Sequence, residues 1–305
     1  MIYQLATVFG KIVLMIVIGF LFAKAGVLSE DMKKHLSTLL MKIVLPFNIL
    51  SSAGQLYDAR SAKGMMMVIA ICGFYYLFSL VVLTILRKQW PDKVDVLLID
   101  LLVFANVGFI GFPLLGEMFG EVGTLYTVAY NIGYQLFFFS YGMCLLEGKE
   151  KLNLRNLLGN QIIYISVLAI ILYFLPFRFP DFIQSVVSSI GGMMVPLSMM
   201  IIGCEIAQMK WKEILTDRRA YFISVLRLWV MPMIMLVILK ALHIDSVVAK
   251  SAVILTALPC GSLTVIAAQQ NGIDSKPATR AVAQTTLLMV LTLPVVFLLT
   301  EKVFG

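Results

Sequence analysis

The stretch Ala105-Asn106-Val107-Gly108-Phe109-Ile110-Gly111-Phe112-Pro113-Leu114-Leu115-Gly116-Glu117 places a buried amide and helix-weakening residues inside a long apolar segment. Gly108, Gly111 and Pro113 weaken a helix there, and Asn106 adds donors and an acceptor. A helix broken at membrane depth leaves backbone groups that lipid cannot satisfy, so the break must face protein or a water-filled cavity. Its chemistry would be recognition of an anion, because half-helix N-termini carry partial positive charge and suit a carboxylate without a buried Lys or Arg. A second break is expected 146 residues after Pro113, at Pro259-Cys260-Gly261-Ser262, with Thr256 and Thr264 nearby.

These residues have competing uses. Asn106 can donate to a substrate carboxylate or hold a broken helix together through its freed carbonyls. Ser262, Thr264 and Thr256 can act as ligands or bond back to their own helix. Pro46-Phe47-Asn48 and Pro196-Leu197-Ser198 form a second matched pair, which either presents Asn48 and Ser198 to the break or kinks helices at a dimer interface. Tyr130, Asn131, Gln135 and Gln284 line a cavity or join helices by hydrogen bonds. Intramembrane charges are costly and therefore informative. Asp100 and Arg227 lie at similar expected depth and could form an ion pair, either a fixed structural one or one in which Asp100 titrates and couples a proton to transport. Lys11 could snorkel outward; Lys42 is harder to accommodate.

The elements that must position these residues follow from composition. The chain is 60% hydrophobic and 13% charged over 305 residues, with apolar runs too long for a soluble core. Gly- and Pro-interrupted runs favour helices over the alternating pattern of a membrane β-barrel. Ten spans fit, at about 2–22, 36–53, 65–86, 96–118, 123–146, 161–177, 182–205, 220–240, 247–269 and 279–300. The N-terminal apolar run lacks a positive region before it and a small-residue cleavage site after it, so it is read as a retained span. Nothing soluble remains that is large enough for a second domain. Fifteen Lys and Arg fall in one set of loops and six in the other, which puts the first set in the cytoplasm and both termini outside. The formal charge of +7 is thereby read as an orientation signal rather than a nucleic-acid footprint. Trp90 and Trp211 fall where interfacial indoles are expected. Cys72, Cys144, Cys204 and Cys260 are scattered singly and suggest neither a metal site nor a disulfide.

Sliding the second half back by about 150 residues aligns Gly10-Lys11 with Gly159-Asn160, Asp31 with Asp181, Leu45 to Asn48 with Val195 to Ser198, and Pro113 with Pro259. Five spans per half is an odd number, so the halves 1–146 and 161–305, joined by a cytoplasmic connection at 147–160, would insert in opposite senses as an inverted repeat.

The stretch Asn106 to Pro113 resembles the fourth-span motif of the auxin efflux carrier family, which includes bacterial malate and malonate permease-like members. Leu258 to Ser262 resembles the ninth-span counterpart, and Val44-Leu45-Pro46 fits the second span. The short fifth-to-sixth connection resembles the bacterial type. The resemblance covers essentially the whole chain. It implies the ten-helix, all-α fold of bile acid and sodium/proton transporters, with spans 4 and 9 crossing at their prolines. It also implies a scaffold of spans 1, 2, 6 and 7, a moving domain of spans 3–5 and 8–10, a homodimer, and an elevator movement. Sodium-binding relatives use a carboxylate near the crossing; span 9 here ends in Gln269, Gln270 and Asn271, which makes sodium coupling the weaker expectation.

The expected substrate-binding set is therefore Asn106, Gly108, Gly111, Pro113, Pro259, Gly261, Ser262, Thr264, Asn48, Ser198 and Asn131, with no metal and no cofactor. The expected activity is secondary transport of a small organic anion, a mono- or dicarboxylate, across the inner membrane, with possible proton coupling and no nucleic-acid partner. No nucleotide-binding loop supports ATP use. A channel is the alternative, since gated pores also use broken helices. An intramembrane enzyme lacks a reactive constellation, as His35 and His243 fall on opposite sides of the expected membrane.

Overall fold

A computed structural model describes residues 2–54, 57–89, 95–148, 161–175, 179–209 and 211–305. Trp90, Lys93, Lys149, Lys151, Arg155, Arg178, Lys210, the Gly159-Asn160 match and most of the 147–160 connection lie outside the described residues.

The described residues are helical, and their one backbone bridge is an isolated antiparallel pair between Ala105 and Cys260. The helices are α1 (Ile2–Lys24), α2 (Glu30–Ala53), α3 (Ala59–Gln89), α4 (Val96–Val103), α5 (Phe112–Phe137), α6 (Met143–Glu147), α7 (Gln161–Phe174), α8 (Asp181–Gln208), α9 (Trp211–Thr216), α10 (Arg218–Ala241), α11 (Ser246–Thr256), α12 (Ser262–Gln270) and α13 (Lys276–Phe304). Six of them, α1, α2, α3, α8, α10 and α13, are long and apolar enough to cross a membrane. Their outward faces are apolar, as at Leu14, Leu77 and Leu291, where water would be a poor solvent and lipid a good one. This is an integral membrane protein.

The other expected spans coincide with shorter or interrupted helices. The span expected at 96–118 is cut after Val103, and the one at 247–269 is divided between α11 and α12. Gly120, at φ 61°, adopts a conformation that side chains avoid and turns the chain between the spans expected at 96–118 and 123–146.

Three of the prolines leave the same mark. Widened π-helical turns occupy Leu40–Val44, Val107–Gly111 and Leu226–Val230, and each ends two residues before a proline, at Pro46, Pro113 and Pro232. A proline ring clashes with the carbonyl one turn earlier and donates no hydrogen bond, and a widened turn absorbs both defects without ending the helix. A fourth such turn, Phe138–Gly142, carries no proline, and we have no physical account of it.

The chain divides into two compact units. The first comprises Met1–Ala62, Gly108–Val128 and Tyr164–Lys210. Its core is the close packing of α1 on α8: a Cβ on Gly203 would lie 2.0 Å from the Ile16 carbonyl oxygen, and one on Gly19 would lie 2.2 Å from that of Met200. Small residues let the two backbones touch, a common way to associate helices where lipid supplies no hydrophobic drive. The second unit comprises Lys63–Val107, Ala129–Ile163 and Trp211–Gly305. It is built around α4, α10, α11 and α13, with α12 packed on α4 and α13.

Candidate substrate crossing

In the second unit two interrupted chain segments run antiparallel past each other. The Asn106 amide donates to the Pro259 carbonyl at 2.9 Å, and the Gly261 amide donates to the Phe104 carbonyl at 2.9 Å. The Cys260 amide is satisfied by Thr285 Oγ1 at 3.2 Å. A Cβ on Gly261 would sit 3.2 Å from the carbonyl oxygens of Phe104 and Ala105, so the approach requires a residue without a bulky side chain. The backbone groups freed by the two breaks thus satisfy one another, as a non-helical segment at membrane depth demands.

The two breaks have different causes. Leu258 precedes a proline, which disfavours helical geometry, so α11 ends locally. Asp95 caps α4, accepting from the Leu98 amide at 2.7 Å, and the helix ends at Phe104 with φ −98° and ψ 115° although no proline is near. There the break is held by the partner strand and by aromatic packing: the Phe104 ring lies 5.5 Å from Tyr76, 5.8 Å from Tyr134 and 5.1 Å from Phe138. The expectation that both segments cross at their prolines is therefore corrected. Pro259 lies in the crossing, whereas Pro113 stands seven residues beyond Asn106, buried inside α5.

Arg227 explains how the broken ends are electrically balanced. Fully buried, it donates from Nε to the Leu258 carbonyl at 3.0 Å. Its Nη1 reaches the Leu102 carbonyl at 2.8 Å, the Val103 carbonyl at 3.4 Å and the Tyr75 hydroxyl at 2.6 Å. These carbonyls belong to the last turn of α4 and to the chain just past α11. Helix C-termini each carry about −0.5 charge, so two of them offset one guanidinium. The expected Asp100 to Arg227 ion pair is consequently absent: Asp100 is fully buried, and neither carboxylate oxygen has a hydrogen-bond partner. The guanidinium prefers the carbonyl-rich helix ends, which match its forked donors.

The other expected residues divide. Asn106 is 8% exposed at the crossing. Gly261 is buried, and Ser262 opens α12, whose N-terminus has no side-chain cap. Thr264 and Asn131 are buried, with Thr264 Oγ1 and Asn131 Nδ2 unpartnered. Thr256 bonds back to the Ala252 carbonyl at 2.8 Å, and Gln284 joins Ser224 Oγ and the Ile214 carbonyl, so both are spent within or between helices.

In the first unit a cavity of about 460 Å³ is lined by Asn48, Ser51, Ser188, Gly191, Pro196, Phe112, Gly116, Lys11 and Glu117, among others. Asn48 Nδ2 donates to the Gly191 carbonyl at 3.2 Å, while its Oδ1 is buried and unpartnered. Lys11 and Glu117 pair at 2.7 Å. Of the residues expected in the substrate site, Asn48 lines this cavity, whereas Gly108, Gly111, Pro113 and Ser198 do not. Ser198 donates to the Met194 carbonyl at 2.6 Å. Gly108 faces the Met41 side chain, where a Cβ would make ordinary contact at 3.5 Å. Glu117, Ser51 and Ser188 were not anticipated. Glu117 reads in sequence as a span-end charge, and single serines in apolar runs carry no signal of their own.

The fold and the crossing define a helical membrane protein with two interrupted helices. Comparison places it further: the chain belongs to the membrane transport protein family, the auxin efflux carriers, whose sequence profile matches residues 7–156 and 150–297. It is similar to an uncharacterized transporter of Methanothermobacter thermautotrophicus, 22% identical over 291 residues that cover 93% of this chain and 94% of the relative. An uncharacterized transporter of Methanocaldococcus jannaschii is 20% identical over 293 residues, 92% of this chain and 94% of the relative. The family is one of transporters, not enzymes.

Proposed function

We propose that this protein is a secondary transporter of a small organic anion, a mono- or dicarboxylate, working by elevator-type alternating access. The observation that carries this reading is the electrical asymmetry of the crossing. The C-terminal ends of the interrupted helices are neutralised by Arg227. The helices that resume after the crossing begin at Val107 and Ser262, and α12 lacks any side-chain cap. A helix N-terminus without a side-chain cap suits a carboxylate brought by the substrate. Asn106, Gly261 and Ser262 are placed beside those ends and would supply its contacts.

The ten-span inverted repeat, with halves at 1–146 and 161–305, gives this device its paired form. The grouping of residues 1–62 with 164–210 in one compact unit supports a scaffold of spans 1, 2, 6 and 7. Residues 108–128 group with them as well, so the moving domain would take less of spans 4 and 5 than the family resemblance implies. The charge asymmetry of the loops supports an inner-membrane protein with both termini extracytoplasmic, and the family a homodimer.

Counterflow in proteoliposomes tests the reading. Saturable exchange of a mono- or dicarboxylate is expected. Asn106→Ala should raise its half-saturation concentration about tenfold or more, the cost of a hydrogen bond to a charged group at roughly 1.5–3 kcal/mol. Ohmic currents without saturable exchange would show a pore instead.

A further inference from the structure

Asp100 is the buried charge that the crossing does not use. It lies in α4, one turn before the break, with 0% exposure and with both carboxylate oxygens unpartnered. Thr264, in the first turn of α12, which packs on α4, is near enough to act on the carboxyl but makes no hydrogen bond to it at normal length; its hydroxyl is also 0% exposed and has no other partner. The wall on the other side is glycine. A Cβ on Gly142 would stand 2.9 Å from Asp100 Oδ1 and 2.8 Å from the Phe104 ring.

Among the described residues, no cation on the elements packed around α4 pairs with this carboxylate. Arg227 is committed to the Leu258, Leu102 and Val103 carbonyls and to Tyr75. Arg219 on α10 pairs with Asp95 at 2.6 Å, and Arg280 on α13 pairs with Asp217 at 2.8 Å. Arg218, Lys276 and Glu147 occupy the terminal positions of α10, α13 and α6, and Cys144 is the remaining titratable group on α6.

We propose that Asp100 and Thr264 form a proton-binding site whose filling and emptying drives the transport cycle. An ionised carboxylate without a partner in a dry interior is costly, and a bound proton removes that cost. The protonated carboxyl gains an O–H to donate to Thr264 Oγ1, and the ionised one can accept from the same hydroxyl. Either state therefore finds one hydrogen bond after a small rotation. A proton fits better than a metal ion. The pocket offers two carboxylate oxygens and one hydroxyl, and the Leu102 and Val103 carbonyls that would enlarge a coordination shell are held by Arg227.

The coupling role rests on the transport reading above; occupancy of the site by a proton does not, and the two are tested separately. In pH-difference infrared spectra of the purified full-length protein, without substrate, the wild type should show the carbonyl stretch of a protonated carboxylic acid. That band should be lost in Asp100→Asn and shifted in Thr264→Val, which removes its hydrogen-bond partner. A band unchanged in both variants overturns the site. In proteoliposomes, an imposed pH gradient should stimulate accumulation of a carboxylate by the wild type, with that stimulation lost in Asp100→Asn. Equal stimulation in the variant overturns the coupling, as does accumulation driven by a sodium gradient at constant pH. If the wild type exchanges no organic acid, the substrate reading fails while the infrared band still decides the proton site.

Discussion

Arg227 and Asp100 are both fully buried in the same unit, yet Arg227 makes four hydrogen bonds through Nε and Nη1, with Nη2 alone unpartnered, and neither oxygen of Asp100 makes any. The difference lies in what a broken helix offers. Its C-terminal end exposes carbonyl acceptors, which a guanidinium fork can collect from two helices at once. A carboxylate, which only accepts, finds nothing there. Similar depth in a membrane does not make opposite charges a pair; local supply of donors and acceptors decides.

The comparison is most directly broken at Arg227. Arg227→Met should strand the carbonyls of Leu102 and Leu258 and destabilise the protein by on the order of 3–5 kcal/mol, read as a fall in the thermal unfolding midpoint in detergent. Arg227→Lys keeps the charge without the fork and should fall between; a wild-type midpoint in both would mean that the helix ends do not need it. Thr285→Val, which removes the acceptor of the Cys260 amide, should cost about 1–3 kcal/mol, since it leaves a buried donor unmatched. Lys11→Met removes the cation of an ion pair whose side chains are 48% and 20% exposed, and should cost about 0–1 kcal/mol. The smallest effect on stability is expected from Asp100→Asn, because a nearly isosteric amide can both donate to and accept from the Thr264 hydroxyl and so keeps whatever that neighbour offers the carboxyl. A loss as large as that of Arg227→Met would reveal a partner for Asp100 and erase the contrast.

Much of this was legible in the residues. The apolar runs and their punctuation anticipated helices at every expected span, since a 3.6-residue helix that satisfies its own backbone is the default in lipid. Leu258-Pro259 marked its break because proline acts on its immediate neighbours. The break after Val103 was harder to place, because Gly108, Gly111 and Pro113 drew attention several residues too far along. What holds Phe104 to Asn106 extended is the partner strand, and partners are not written locally. The cavity beside Lys11 and Glu117 was missed for the same reason, its lining being contributed by residues far apart in the chain.

The sequence by itself determined that this is a helical membrane protein, that it carries interrupted helices and buried charges, and, by its motifs, which family it resembles. Those properties depend on composition and on residues within one or two turns of each other. Only the tertiary structure decided that the crossing is made by Phe104 to Asn106 and Pro259 to Gly261, that Arg227 serves helix ends, and that Asp100 is left with Thr264. Each depends on which acceptors and donors meet across 31 to more than a hundred residues, and in a medium without water that meeting fixes where a charge can be held.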